Sequence, residues 1–239
     1  MNEPSASRRD AAQDLIKWLA IGSMVLDHLR YLWPSADWLF VLGRLAFPLF
    51  CLAIAVNVVR APIDSLFSDA NARYLTWLVA FSALSEIPYR WLSFSASTIN
   101  VMPTLMLGLV VAWGAHYRSR EALLLAGFTV VLAATLHPRL MYGVFGVVLP
   151  AAFVVALRQK RIHWLLPALI CLAANARNRW MEVGEPMAWL IALAALAAPL
   201  VGLWLAGRSM AFNVWPVKRW GYWFYPVHLA VIGTARLLL

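Results

Sequence analysis

DLIKWLAIGSMVLDHLRYLW, residues 14–33, sets an acid beside a base, Asp27-His28, two-thirds of the way along an apolar run of 20 residues. That length is what a helix needs to cross a hydrocarbon core of about 30 Å. A charge placed centrally in lipid costs roughly 2.5–3.5 kcal/mol, so an ionisable pair at this depth points to chemistry rather than packing. The stretch reads as a membrane helix carrying part of a buried acid/base site.

Comparable runs follow it along the chain: Leu39–Val59, Ala72–Leu92, Asn100–Tyr117, Glu121–Leu136, Met141–Leu157, Ile162–Ala176, Pro186–Gly207 and Trp220–Leu239. With 63% hydrophobic and 13% charged residues and a mean hydropathy of +0.72, the sequence predicts an all-α polytopic membrane bundle of about nine helices. One transmembrane domain, 1–239, accounts for the chain, which has no internal repeat, low-complexity tract or linker. The fifth and seventh runs are short enough to be re-entrant or to require local bilayer thinning. The first run lacks a small-residue cleavage site and reads as a retained helix rather than a signal peptide.

Basic residues orient such a bundle, because short cytoplasmic loops collect Lys and Arg. With the N-terminus inside, thirteen fall on inner segments: Arg8, Arg9, Lys17, Arg60, Arg73, Arg118, Arg120, Arg158, Lys160, Arg161, Arg208, Lys218 and Arg219. Six fall outside: Arg30, Arg90, Arg139, Arg177, Arg179 and Arg236. The expectation is a bacterial inner-membrane protein with a cytoplasmic N-terminus and an external C-terminus. The net charge of +9 is then a matter of topology and anionic lipid, and nothing in the sequence suggests nucleic acid.

Helix rise converts position into depth, and it sets Asp27, His28, Arg44 and Glu86 roughly 8–9 Å below the outer ends of the first three spans. Asn100 and Tyr142 start the fourth and sixth spans slightly above that level, and His228 lies deeper on the last. This is a candidate general acid/base set. Each member also has a structural reading: Arg44 with Asp27 as an interhelical ion pair, Glu86 with Arg90 where Pro88 bends the helix, His228 against a kinked backbone. Adjacent helical positions diverge by about 100°, so Asp27 does not face His28. An interhelical group such as Glu86 is the better candidate to orient that ring. His116, His137 and His163 lie near loops and read as solvated, Cys51 and Cys171 as packing residues, and the Trp-rich helix ends as an interfacial belt. Phosphate-loop, zinc-helix and nucleophile-elbow motifs are absent, and no metal is expected.

Met24-Val25-Leu26-Asp27-His28, Gly43-Arg44-Leu45-Ala46-Phe47-Pro48, Arg73-Tyr74-Leu75, Ser85-Glu86-Ile87-Pro88-Tyr89, Asn100-Val101, Tyr142-Gly143-Val144-Phe145-Gly146 and Tyr225-Pro226-Val227-His228 occur in the order of the TraX family. The chain resembles that family over nearly its whole length, although Met141 stands where an acidic residue often precedes the Tyr-Gly pair. A fainter similarity, carried by His28 and Arg44, is to the membrane acyltransferase-3 group. The resemblance implies an inner-membrane acetyltransferase that takes acetyl from acetyl-CoA to the N-terminal amine of a conjugative F-type pilin. It implies His28 as base, with Asp27, Arg44 and Glu86 setting its orientation and charge. Asn100, Tyr142 and His228 would then bind substrate, and Arg73, Arg158, Lys160, Lys218 or Arg219 the CoA phosphates. The alternatives are a membrane acyltransferase acting on a glycan, lipid or small amine, a proton-coupled transporter, and an assembly subunit for exported protein.

Overall fold

The computed structural model describes residues 5–64 and 66–238, with side chains other than those of 5–10, 179 and 182. Arg8, Arg9 and Arg179 of the charge count, and the expected final residue Leu239 of the last span, therefore lie outside the described side chains. Among the described residues the secondary structure is all helical. The order is α1 (Ser5–Leu29), α2 (Leu39–Gly43), α3 (Ala46–Arg60), α4 (Asp69–Leu92), α5 (Met102–Tyr117) and α6 (Arg120–Thr135), then α7 (Gly143–Arg158), a 3₁₀ turn (Arg161–Trp164), α8 (Leu165–Asn175), α9 (Arg179–Val183), α10 (Pro186–Ala206) and α11 (Trp220–Leu238).

Most of the apolar runs became helices with shifts of a few residues at their ends, but α1 begins at Ser5, well before Asp14, and the run from Ile162 to Ala176 is a 3₁₀ turn followed by α8. α1 stops at Leu29 rather than Trp33, because Pro34 cannot continue a helix and keeps its predecessor out of the α region. The second run is broken at Arg44-Leu45 into α2 and α3. Pro48 has no N–H for the Arg44 carbonyl, and its ring crowds that carbonyl, so the helix opens one turn before the proline. Ser68 and Ser119 cap α4 and α6, accepting from Asn71 N at 3.3 Å and Ala122 N at 3.2 Å. Tyr142 and Gly143 both adopt left-handed backbone, φ +68° and +57°, at the start of α7. Side chains there would be strained, and a Cβ on Gly143 would fall 2.5 Å from the His137 ring.

α5 packs against α7, α6 and α4; α1 lies on α3, α4 on α11, and α8 between α7 and α10. The core is drawn mainly from α3, α5 and α7, with Leu52, Leu109, Leu149 and Phe153 fully buried. Leu39–Arg60, 22 residues taken through the break, and Pro186–Ala206, 21 residues, are long and apolar enough to cross a membrane. α6 turns Leu123, Leu124, Phe128 and Val131 outward, and α10 turns out Trp189, Leu190 and Leu193. Such contiguous apolar faces are disfavoured in water and expected of a surface that meets lipid or protein.

Candidate functional site

α1 and α11 bring two histidines together across 200 residues of sequence, His28 Nδ1 lying 2.7 Å from His228 Nε2. The hydrogen-bond partner of the His28 ring is thus His228 and not Glu86, which corrects the expectation from the sequence. His228 is buried, and its Nδ1 sits 2.9 Å from the Phe224 carbonyl one turn back. A backbone donor is missing in this turn because of Pro226.

One residue before His28 on α1, and turned from it by about 100°, Asp27 meets two cations. Arg44 Nη2 is 3.6 Å from Asp27 Oδ2, and Arg30 Nε is 3.2 Å from Oδ1. The second contact lacks hydrogen-bond alignment, so Asp27 Oδ1 and Arg30 Nε are buried without a hydrogen-bond partner among the described residues. Arg44, only 7% exposed, is fixed from several sides. It donates to the Phe40 carbonyl and to Asn175 Oδ1, each at 3.2 Å, and its guanidinium lies 3.7 Å from the centre of the Phe40 ring. Asn175 is held in turn by its donation to the Cys171 carbonyl at 2.9 Å. The Tyr142 ring stacks on Phe47 at 4.0 Å, with Arg44 5.7 Å from its centre. Gly43 makes room for the acid, since a Cβ there would fall 2.5 Å from Asp27 Cβ.

Glu86 belongs to a separate cluster. Its Oε1 accepts from Arg90 Nε at 2.6 Å, and its Oε2 accepts from Asn100 N at 2.9 Å and Asn100 Nδ2 at 2.7 Å. Asn100 Oδ1 then accepts from Met102 N, so the pair fastens the start of α5 to α4. Tyr225 stands between the clusters: its hydroxyl accepts from Val101 N at 3.5 Å, and its ring lies 5.6 Å from that of His228.

A cavity of about 310 Å³ opens beside Lys17, Lys218 and Arg219, runs between Ile21, Met24, Phe50, Ile54 and Leu78, and ends at Met102, Leu105 and Tyr225. Lys218 and Arg219 thus meet at one mouth. The other three expected phosphate ligands are elsewhere. Arg158 donates to His116, to its carbonyl at 3.0 Å and its Nδ1 at 2.7 Å, while Arg73 and Lys160 are exposed and line no part of the cavity. His116 itself is buried, not solvated, because its Nε2 also reaches the Ala61 carbonyl at 3.0 Å.

Sequence reasoning did not single out Arg30, Asn175, Tyr225 or Lys17 for these positions. Asn175 left a signal, as the one amide in the apolar body of α8, and Tyr225 stood inside a quoted motif.

The TraX protein family model matches residues 12–236. The chain is 27% identical to a Protein TraX of Escherichia coli and 28% identical to that of Escherichia coli strain K12, in both cases over 94% of this chain and 87% of the relative. It is 25% identical to a probable fimbrial assembly protein FimC, serogroup H1, of Dichelobacter nodosus, over 94% of this chain and 95% of that protein. No solved structure matches. With the family pattern running through nearly every helix, and with Asp27, His28, Arg44 and His228 all inside it, the chain belongs to the TraX family.

Proposed function

We propose that the chain is a multi-pass protein of the bacterial inner membrane, N-terminus cytoplasmic, that transfers acetyl from acetyl-CoA to the N-terminal amine of a conjugative F-type pilin. The observation that carries the reading is the cavity: a cationic mouth leads into an apolar shaft that ends at Tyr225, one helical turn from His228. From Lys17 to His28 is eleven residues of α1, about 16 Å of rise. A phosphorylated carrier with a slender arm suits that shape, and Asn57 and Tyr74 in the lining can meet the amides of that arm. Lys17, Lys218 and Arg219 would hold the phosphates, and Ile21, Met24, Phe50 and Leu78 would flank the arm.

The charge asymmetry of thirteen against six supports a mouth on the cytoplasmic side and a histidine pair toward the outer side. An exported protein can present its new N-terminus there. The uncharged 21 residues of α10 and the outward apolar faces of α6 and α10 support a lipid surround.

The donor supplies an activated thioester carbonyl; the chain's residues do the rest. An α-amine has a pKa near 7.7–8.0, so part of it is neutral and nucleophilic at neutral pH. Asp27 Oδ1, a buried acceptor with no hydrogen-bond donor among the described residues, can hold an amine N–H. His28 takes the proton that the amine must lose as the new C–N bond forms. Arg44, held by Asn175 and Phe40, keeps Asp27 in place.

The test is transfer by the purified protein in lipid nanodiscs, given acetyl-CoA and a peptide matching a pilin N-terminus. A mass increase of one acetyl group on the α-amine is expected. Transfer to a glycan or lipid acceptor but never to the peptide would replace the pilin reading, and no acyl transfer to any acceptor would remove the enzyme.

A further inference from the structure

The Phe224 carbonyl can only accept a hydrogen bond, so the His228 nitrogen 2.9 Å from it, Nδ1, carries a proton. In a neutral ring the other nitrogen, Nε2, is then a lone-pair acceptor. His28 Nδ1, 2.7 Å away, must therefore be the donor, which leaves the lone pair of neutral His28 on Nε2. The ring centres are 4.9 Å apart and the planes 15° from parallel. At so short a nitrogen separation, that is two rings edge to edge in nearly one plane, the alignment of a straight N–H···N bond.

The surroundings of the two rings differ. Near His28 stand Arg30 and Arg44, with Asp27 between them. Facing His228 on α11 are the Phe224 carbonyl and the Tyr225 ring. α4, packed on α11, brings Glu86 and Arg90, already paired with each other, and α10 brings no ionisable side chain.

We infer that His228 is a positioning residue: it holds His28 as the Nδ1–H tautomer and receives that proton when His28 Nε2 takes one from the acceptor amine. The inference rests on the acetyl-transfer reading. In the step, the N–H bond of the amine breaks and a bond to His28 Nε2 forms. The His28 Nδ1–H bond breaks and a bond to His228 Nε2 forms. His28 ends neutral as the Nε2–H tautomer, and His228 ends as an imidazolium whose two protons point at the Phe224 carbonyl and at His28 Nδ1. Positive charge thereby leaves the ring beside Arg30 and Arg44 for the ring beside a carbonyl dipole, a favourable displacement. The proton returns by the reverse path to the departing thiolate, so amide and free thiol form with no net proton taken up.

Imidazole ¹⁵N NMR of the full-length protein in nanodiscs at neutral pH reads the tautomer directly. A protonated Nδ1 and a lone-pair Nε2 on His28 are expected, and an Nε2–H His28 overturns the inference. Kinetics supply the second arm. H228Q, whose amide oxygen can accept from His28 Nδ1–H but cannot take up that proton, is expected to keep the tautomer with a kcat between those of the unmodified protein and H228L. A kcat of H228Q equal to that of the unmodified protein overturns the proton-receiving role. H228L, which cannot accept, is expected to lose about 10²-fold in kcat with KM for acetyl-CoA unchanged. Equal kcat in H228L and the unmodified protein overturns the inference; if H228L does not fold, the tautomer of the unmodified protein and the behaviour of H228Q decide. Should the Nδ1–H tautomer be seen while the unmodified protein transfers nothing, the acetyl-transfer reading fails and the tautomer assignment is supported.

Discussion

The two ends of α1 treat buried polar groups in opposite ways. Near its start the groups are closed on one another. Gln13 donates to Asn57 at 2.6 Å and accepts from Arg60 at 2.5 Å, and Asp14 accepts from Lys17 and from Val217 N at 3.1 Å each. Near its end, Asp27 Oδ1 and Arg30 Nε have no hydrogen-bond partner among the described residues, Arg44 is 3.6 Å from its acid, and a histidine keeps a lone pair. A closed network fastens helices together. An open one carries a cost of about 1–3 kcal/mol for each unsatisfied group, which folding alone does not reward. The open end is therefore where a ligand is expected to complete the hydrogen bonding.

The comparison breaks most sharply at His28. Replacement by Ala or by Gln is expected to lower acetyl transfer by about 10²–10⁴-fold, with membrane insertion kept in both and the thermal midpoint kept in His28→Gln. Gln can hydrogen-bond to His228 but cannot act as a base near neutral pH. Turnover of the acceptor peptide at matched protein levels checks this, and near-normal activity in His28→Gln would make this end as structural as the other.

The same comparison shows what the sequence could and could not carry. Helices followed from runs of apolar residues, and prolines 34 and 48 explain why α1 ended early and the second run split at Arg44. Asp27 and Arg44 met as expected, because they lie on consecutive segments joined by a short connection. Helix rise gives depth but not azimuth, so Glu86, at the right level, turned to Asn100 and Arg90 instead of His28. The histidine contact spans α1 and α11, and no local pattern records which face of the last helix meets the first. The cavity mouth was half legible: Lys218 and Arg219 were named for their charge, while Lys17 was counted only toward topology.

A double-mutant cycle on Arg44 and Asp27 sharpens the contrast at the next level. Arg44→Ala leaves Asp27 beside a misaligned Arg30, and Asp27→Ala leaves the buried Arg44 and the half-buried Arg30 without their acid. Removal of one member of a buried ion pair costs about 3–5 kcal/mol, and removal of both is expected to cost less than the sum. Unfolding in denaturant with each variant measures the coupling. Strict additivity would dissolve the pair.

A smaller effect is expected at Gly43, where the backbone of α2 rests on the acid. The Cβ of Gly43→Ala would lie 2.5 Å from both Cβ and Cγ of Asp27, and that Asp27 Cβ, fixed to the helix backbone, cannot swing aside. Overpacking of this kind costs about 1–3 kcal/mol. The variant is expected to fold with a lowered thermal midpoint and with slower transfer, since Asp27 must shift away from Arg44. A midpoint equal to that of the unmodified protein would mean that the approach of α2 to α1 is looser than the geometry indicates.

The smallest effect is expected at the closed end. Asp14 ties the segment before α11 to α1 through Val217 N, and its pairing with Lys17 is partly solvated. Asp14→Asn keeps an oxygen for Val217 N and loses only the charge attraction, worth about 0–1 kcal/mol in exposed pairs. Asp14→Ala loses the hydrogen bond as well, a further change of about 0.5–1.5 kcal/mol. The thermal midpoints should fall in the order unmodified, Asn, Ala, with kcat at saturating acetyl-CoA equal in all three. A fall in kcat for Asp14→Asn comparable to that of His28→Gln would show that the closed network takes part in the chemistry, and the division between the two ends would fail.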